Sequence, residues 1–174
     1  MSLLEQINRK IIPLEALAQQ CNDWKKAGER LVFTNGVFDL IHKGHITYLA
    51  QAAELGSKFI IGLNNDASVK TLNKGAARPI KDQDQRAFIL AALSFVDAVV
   101  LFDDPTPYNL IQTITPNTLV KGGDYNPQET DPKSKTYIVG SDWVREHKRE
   151  VKVIPFLPGY STTTLEEKII RSNA

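Results

Sequence analysis

A chain of 174 residues, 42% hydrophobic and 24% charged, can bury one globular core and is neither disordered nor low in complexity. A formal charge of +1 supplies no broad basic field, which argues against a nucleic-acid partner. No apolar run approaches a membrane span, and a single cysteine excludes an intrachain disulfide. The opening Met-Ser-Leu-Leu-Glu-Gln-Ile-Asn-Arg-Lys lacks a secretory pattern, so a cytoplasmic, reducing location is expected, with no membrane association.

Residues 13–26 carry Leu14, Leu17, Ala18 and Trp24 at roughly helical spacing, with Gly28 as the stop. Residues 1–28 are expected to be a helical lead-in packed on a single domain of residues 29–174. Residues 30–33 then read as a short apolar strand. Further on, Ile46, Leu49, Ala50 and Ala53 fall at i, i+3, i+4 and i+7, one face of a helix.

Between that strand and helix runs Thr34-Asn35-Gly36-Val37-Phe38-Asp39-Leu40-Ile41-His42-Lys43-Gly44-His45. Backbone N–H groups and the positive end of the dipole gather at such a helix start and favour an anion. Two of the three histidines in the chain lie there, spaced to reach one anion together. Gly44 between them would let a phosphate approach the backbone. Two plain alternatives stand beside this one: a surface turn that carries two histidines, or a His-x-x-His chelate. The chelate lacks a third nearby ligand other than Asp39, and Cys21 is remote, so no metal site is expected. Neither a Gly-x-Gly-x-x-Gly nor a Gly-x-x-x-x-Gly-Lys-Ser/Thr loop occurs at the turn.

Residues 57–63 form a second apolar strand, closed by Asn64-Asn65-Asp66. Residues 71–81 are poor in apolar side chains and hold Lys74, Gly75, Arg78 and Lys81. Composition favours a solvated loop there, while proximity to the turn would bring Lys74 or Arg78 to phosphates. Asp82 and Gln85 then mark a capped helix with Phe88, Ile89, Ala92, Leu93 and Val96 on one face. A third strand covers residues 97–102, and a short helix runs from Pro105 to Thr115. The fourth strand, residues 117–120, empties into Lys121-Gly122-Gly123-Asp124-Tyr125. Those glycines read either as a tight turn or as a place where a ligand meets the backbone. Residues 127–150 are polar, with a weak helical pattern over residues 137–147. A fifth strand spans residues 150–156. Ser161, Thr162 and Thr163 precede a last helix, with Thr163 and Glu166 spaced as a capping box.

Strands alternating with helices predict an α/β fold: a doubly wound, Rossmann-like parallel sheet of five strands in the order 3-2-1-4-5. In that order the first and fourth strands flank the switch point where such sheets bind ligands. The turn at 34–45 and the glycine turn at 121–125 would then meet.

The 34–45 turn resembles the signature of the cytidylyltransferase-like nucleotidyltransferases, with His42, Gly44 and His45 on the family's HxGH motif. It is most similar to the subfamily that makes ADP-heptose from heptose 1-phosphate. Asn-Asp-Ala-Ser, Arg-Pro, Asp-Gln-Arg, Leu-Val-Lys-Gly-Gly-Asp-Tyr and Ser-Thr-Thr extend the likeness, in order, from about residue 10 to 170. Val37 stands where the family commonly has Cys, and residues 127–148 depart most from the pattern.

The resemblance implies transfer of AMP from ATP to a sugar 1-phosphate, with Mg²⁺ travelling on the triphosphate. Under it, His42, His45, Lys74 and Arg78 would be catalytic. Thr34, Asn35, Gly36, Val37, Phe38, Gly44, Lys121, Gly122, Gly123, Asp124, Tyr125, Ser161, Thr162 and Thr163 would join the histidines in holding the nucleotide. Asp39 and Asp66 are candidates for sugar hydroxyls. The partners implied are ATP and a sugar phosphate; a homodimer stays open. The competing reading in the same class is a cytidylyltransferase using CTP with glycerol 3-phosphate or an aminoalcohol phosphate. In another class, a nucleotide-sensing scaffold would be expected to have lost HxGH or Ser-Thr-Thr, and both are intact.

Overall fold

The computed structural model describes residues 1–72 and 78–172. Helices α1 (Leu3–Arg9) and α2 (Leu14–Lys26) lead into strand β1 (Leu31–Gly36). Then come α3 (Lys43–Ala53), β2 (Lys58–Asn64), α4 (Asp66–Thr71), α5 (Gln83–Ala91) and β3 (Ala98–Phe102). The chain continues through α6 (Tyr108–Ile114), β4 (Thr118–Gly122), α7 (Ser141–Glu146), β5 (Glu150–Ile154) and α8 (Thr162–Ser172). The strands form one five-stranded sheet in the order β3-β2-β1-β4-β5, every pair parallel. This is the expected topology, and it sets the C-terminal ends of β1 and β4 side by side.

The central strands are apolar without alternation because both faces of the sheet are covered. Successive side chains point to opposite faces. Phe33, Ile60, Val100 and Leu119 accordingly join one core cluster, with Leu17 and Cys21 of α2. Val32, Ile61, Val99 and Val120 join the other, with Leu49 of α3 and Leu90 of α5. Gly56 permits a close crossing: a Cβ there would stand 2.5 Å from the Arg30 carbonyl oxygen.

Several local expectations are corrected. The lead-in has an additional helix, α1, fixed by a capping box in which Ser2 and Glu5 exchange bonds. The lead-in is tied to the far strand, with the Ile12 N–H donating to the Val99 carbonyl at 2.9 Å. The buried face of α3 is Gly44, Tyr48, Leu49 and Ala52, so of the predicted set only Leu49 is buried. The buried face of α5 is Arg86, Ala87, Leu90 and Ala91, while Phe88 is exposed. In both helices two adjoining stripes meet the apolar spacing. The stripe that turns inward carries a long polar side chain, Tyr48 or Arg86, whose polar end is hydrogen-bonded inside. The last helix is capped by Ser161, whose Oγ accepts the Thr164 N–H at 3.0 Å, and not by Thr163. Glu166 is engaged elsewhere.

Candidate active site

The β1–α3 turn is rigidified from below. Thr34 is fully buried and hydrogen-bonds the Tyr48 hydroxyl, so its side chain is core and does not line the cleft. The Tyr48 hydroxyl also reaches the Val120 carbonyl at 3.4 Å, and burial pushes its pKa up. The Asn35 Oδ1 accepts the Lys121 ammonium at 2.6 Å, linking the ends of β1 and β4 as the strand order requires.

At the start of α3, His42 is the cap: its Nδ1 accepts the His45 N–H at 3.4 Å. Burial lowers the His42 pKa, which favours the neutral ring at pH 7. With Nδ1 accepting, the neutral ring carries its proton on Nε2 and can donate from there. The His45 ring lies 4.0 Å from that of His42, centroid to centroid, and meets the Phe38 ring edge-on at 5.7 Å. Phe38 reaches this position with a φ of +48°. Gly44 is packed on its Cβ side: a Cβ there would meet the His42 ring at 3.0 Å and the Tyr160 Cβ at 3.1 Å.

Above these strand ends opens a cleft of about 820 Å³. His45, Arg78 and Lys121 line it from three segments, together with Asn35, Gly36, Val37, Phe38 and Asp39 of the first turn. Gly122 contributes from the end of β4, Asp124 and Tyr125 from the turn after it, and Thr162 and Thr163 from α8. His42, Gly123 and Ser161 are not among its lining residues. Lys74 lies outside the described residues.

The two aspartates expected to meet sugar hydroxyls are otherwise occupied. Asp39 is 5% exposed and accepts from Arg78 at 2.7 Å and from the Ile80 and Lys81 N–H groups at 2.9 Å each. Burial by itself would raise its pKa; the Lys81 and Ile80 N–H groups and Arg78 together outweigh that and hold it below 3.8. Asp39 is thus the hook on which residues 78–81 hang, although it borders the cleft. Asp66 is not a lining residue; its carboxylate pairs with Arg86 at 2.6 Å. Arg78 reaches across the cleft to Glu166 of α8 at 2.5 Å, and the Lys81 ammonium donates to the Asp39 carbonyl at 3.1 Å.

Sequence reasoning missed three residues with a role in this geometry. Arg86 is fully buried and donates to the Lys81, Val37 and Asn64 carbonyls and to Asp66, stitching the turn to the end of β2. Its signal was present in the Asp84-Gln85-Arg86 block that carries part of the family resemblance. Glu166 was read as a cap. Phe156, assigned to the fifth strand, lies beyond it, lines the cleft and is 56% exposed. Its ring takes up the approach to the glycine turn: Cβ atoms on Gly122 and Gly123 would stand 2.7 and 2.5 Å from it.

Among the described residues no helix is long and apolar enough to cross a membrane. No group of three or more His, Cys, Asp or Glu side chains that could hold a metal is found among them either.

The cytidylyltransferase-like family model matches residues 33–168. The chain is 48% identical over 160 residues to "Bifunctional protein HldE" of Geotalea uraniireducens, covering 92% of this chain and 31% of that protein. It is 51% identical over 145 residues to the same-named protein of Campylobacter concisus, covering 83% and 28%. With that of Helicobacter pylori strain G27 it shares 45% over 170 residues, covering 98% and 33%. The chain therefore spans about a third of the length of these relatives. Its fold resembles the crystal structure of a lipopolysaccharide core biosynthesis protein from Thermoplasma volcanium, with TM-score 0.57 and 24% identity over 75% of this chain and 98% of that one. It also resembles pantoate-beta-alanine ligase from Francisella tularensis, with TM-score 0.53 and 15% identity over 94% and 78%. On the family match and the HldE relatives, this chain belongs to the cytidylyltransferase-like family and is a nucleotidyltransferase.

Proposed function

We propose that the chain is an adenylyltransferase that moves AMP from ATP to a sugar 1-phosphate, heptose 1-phosphate in the first instance, giving ADP-heptose and pyrophosphate. The observation that carries this reading is the meeting of His45, Arg78 and Lys121 in one cleft over the β1–β4 switch point. The similarity to the HldE proteins supports the sugar-phosphate acceptor.

In this reaction a phosphate oxygen of the sugar phosphate attacks the α-phosphorus of ATP. The new O–P bond forms as the bond from the α-phosphorus to the bridging oxygen breaks, and pyrophosphate leaves. A phosphate monoester is largely dianionic at neutral pH, with a second pKa of about 6, so the attack needs no general base. What remains is in-line positioning and neutralisation of charge. His45 donates to the α-phosphate, and His42, which does not line the cleft, holds the start of α3 in place by accepting the His45 N–H. Arg78 and Lys121 hold the outgoing phosphates, with Lys74 expected there from its charge and its place in the 71–81 segment. The first turn of α8 supplies N–H groups and the Thr162 and Thr163 hydroxyls as a second anion contact. Mg²⁺ enters as part of the MgATP substrate; both Asp39 carboxylate oxygens are already taken by N–H donors, so that residue is not assigned to the ion. The cytoplasmic location, and residues 1–28 as a lead-in to one catalytic domain, belong to this same reading.

Pyrophosphate release measured with ATP and CTP against a panel of sugar, polyol and aminoalcohol phosphates tests it. ATP with heptose 1-phosphate should be fastest. A tenfold advantage for CTP with glycerol 3-phosphate, a barrier difference of about 1.4 kcal/mol, would reassign the subfamily.

A further inference from the structure

Phe156 follows β5, and its ring lies against the backbone at the end of β4. The two glycines make that possible: a Cβ on Gly122 would stand 2.7 Å from the ring, and one on Gly123 2.5 Å. Gly123 takes a φ of +104°, and its N–H donates to the Ile154 carbonyl at 3.0 Å. That bond extends the β4–β5 pairing one step and fixes the backbone two residues before Phe156. The ring is thus backed by main chain on one side, yet it is 56% exposed and borders the cleft. A large apolar side chain left open inside a cleft marks a ligand contact.

The other exposed aromatic lining the cleft, Tyr125, has the Lys121 ammonium 5.9 Å from its ring centroid, so that ring already faces a cation. A phosphate or a sugar hydroxyl gains little from a phenyl face. A nucleobase gains a stacking surface, and a purine overlaps it more than a pyrimidine does.

Resting on the nucleotidyl-transfer reading above, we propose that Phe156 is the stacking platform for the nucleobase and a determinant of purine preference. The glycine pair leaves room for this ring, and the base stacks on its open face.

Calorimetric titration of the full chain with MgATP, MgCTP and inorganic tripolyphosphate tests the assignment. Phe156→Ala should weaken ATP roughly 5- to 150-fold, the range set by losing one base–aromatic stack. CTP should weaken less, and tripolyphosphate should stay within about twofold. Phe156→Trp should keep ATP binding, whereas Phe156→Leu, which retains apolar bulk without a π face, should stay weak; this pair covers the event that the alanine variant fails to fold. ATP affinity within twofold of the parent in both Phe156→Ala and Phe156→Leu overturns the proposal. So does equal weakening of ATP and tripolyphosphate, which would make the ring a support of the phosphate site. A parent chain that binds no nucleoside triphosphate overturns the transfer reading and this proposal with it, and the parent's own isotherm separates that failure from the others.

Discussion

Two helices start at the rim of the same cleft, and they are held in opposite ways. α3 is sunk into the sheet: Tyr48, Leu49 and Ala52 are buried, and Tyr48 is bonded to Thr34 beneath the turn. α8 buries no residue, and Glu166 joins it to Arg78 across the cleft. Both present backbone N–H groups at an N-terminus, the same anion-binding device. Donors accelerate a reaction only when they need not reorganise as charge develops, so the moored terminus suits the reacting phosphorus. The lightly anchored one suits a group that must enter and leave.

The most damaging way to break this contrast is to cut the mooring of the first turn. Arg86→Met should lower unfolding stability by about 3–5 kcal/mol in a denaturant titration, because it strips fixed donors from three carbonyls. A loss under about 1 kcal/mol would mean that the turn is held by other contacts.

Next in size is the chemistry at α3. His45→Ala should reduce kcat by on the order of 10²–10³, about 2.7–4 kcal/mol, with little change in ATP binding. His42→Ala should behave similarly, and the double variant should lose less than the product of the two. Asn at either position keeps a donor and should restore part of the rate. A His45→Ala protein with most of its kcat would separate this turn from the reaction.

Asp39→Asn removes the charge from which residues 78–81 hang and should cost about 1–3 kcal/mol at neutral pH. The sign of its pH dependence follows from the lowered pKa. The stabilisation is fully present above the ordinary value of 3.8 and is lost as pH falls from there through the depressed value. Acid titration of stability should therefore be shallower below about pH 4 in the variant than in the parent. Identical acid limbs would count against Asp39 as the hook.

The smallest effect should come from α8. Glu166→Gln weakens an ion pair whose carboxylate side chain is 36% exposed, worth under about 1 kcal/mol. Hydrogen exchange should quicken in α8 and stay unchanged in α3. Faster exchange in both helices would show that the two termini are coupled and not independently anchored.

The sheet order was legible in the sequence because apolar runs of strand length alternate with helical periods, and right-handed crossovers leave few ways to connect them. The position of the histidine turn between β1 and α3 was legible for the same reason, as was its meeting with the β4 turn. Helix faces were not. Two stripes of acceptable spacing adjoin on α3 and α5, and periodicity has no term for the Thr34–Tyr48 bond or for the carbonyls that receive Arg86. Nor could spacing assign the carboxylates. Asp39, Asp66 and Glu166 each find a cation far away in the chain, at Arg78, Arg86 and again Arg78. Phe156 read as one more apolar strand residue, and Gly122-Gly123 as a tight turn or a place for a ligand to meet the backbone. Only packing β4 beside β5 shows that the ring fills the space above the glycines, because whether a Cβ is tolerated depends on the strand next door and not on the residues adjoining in sequence.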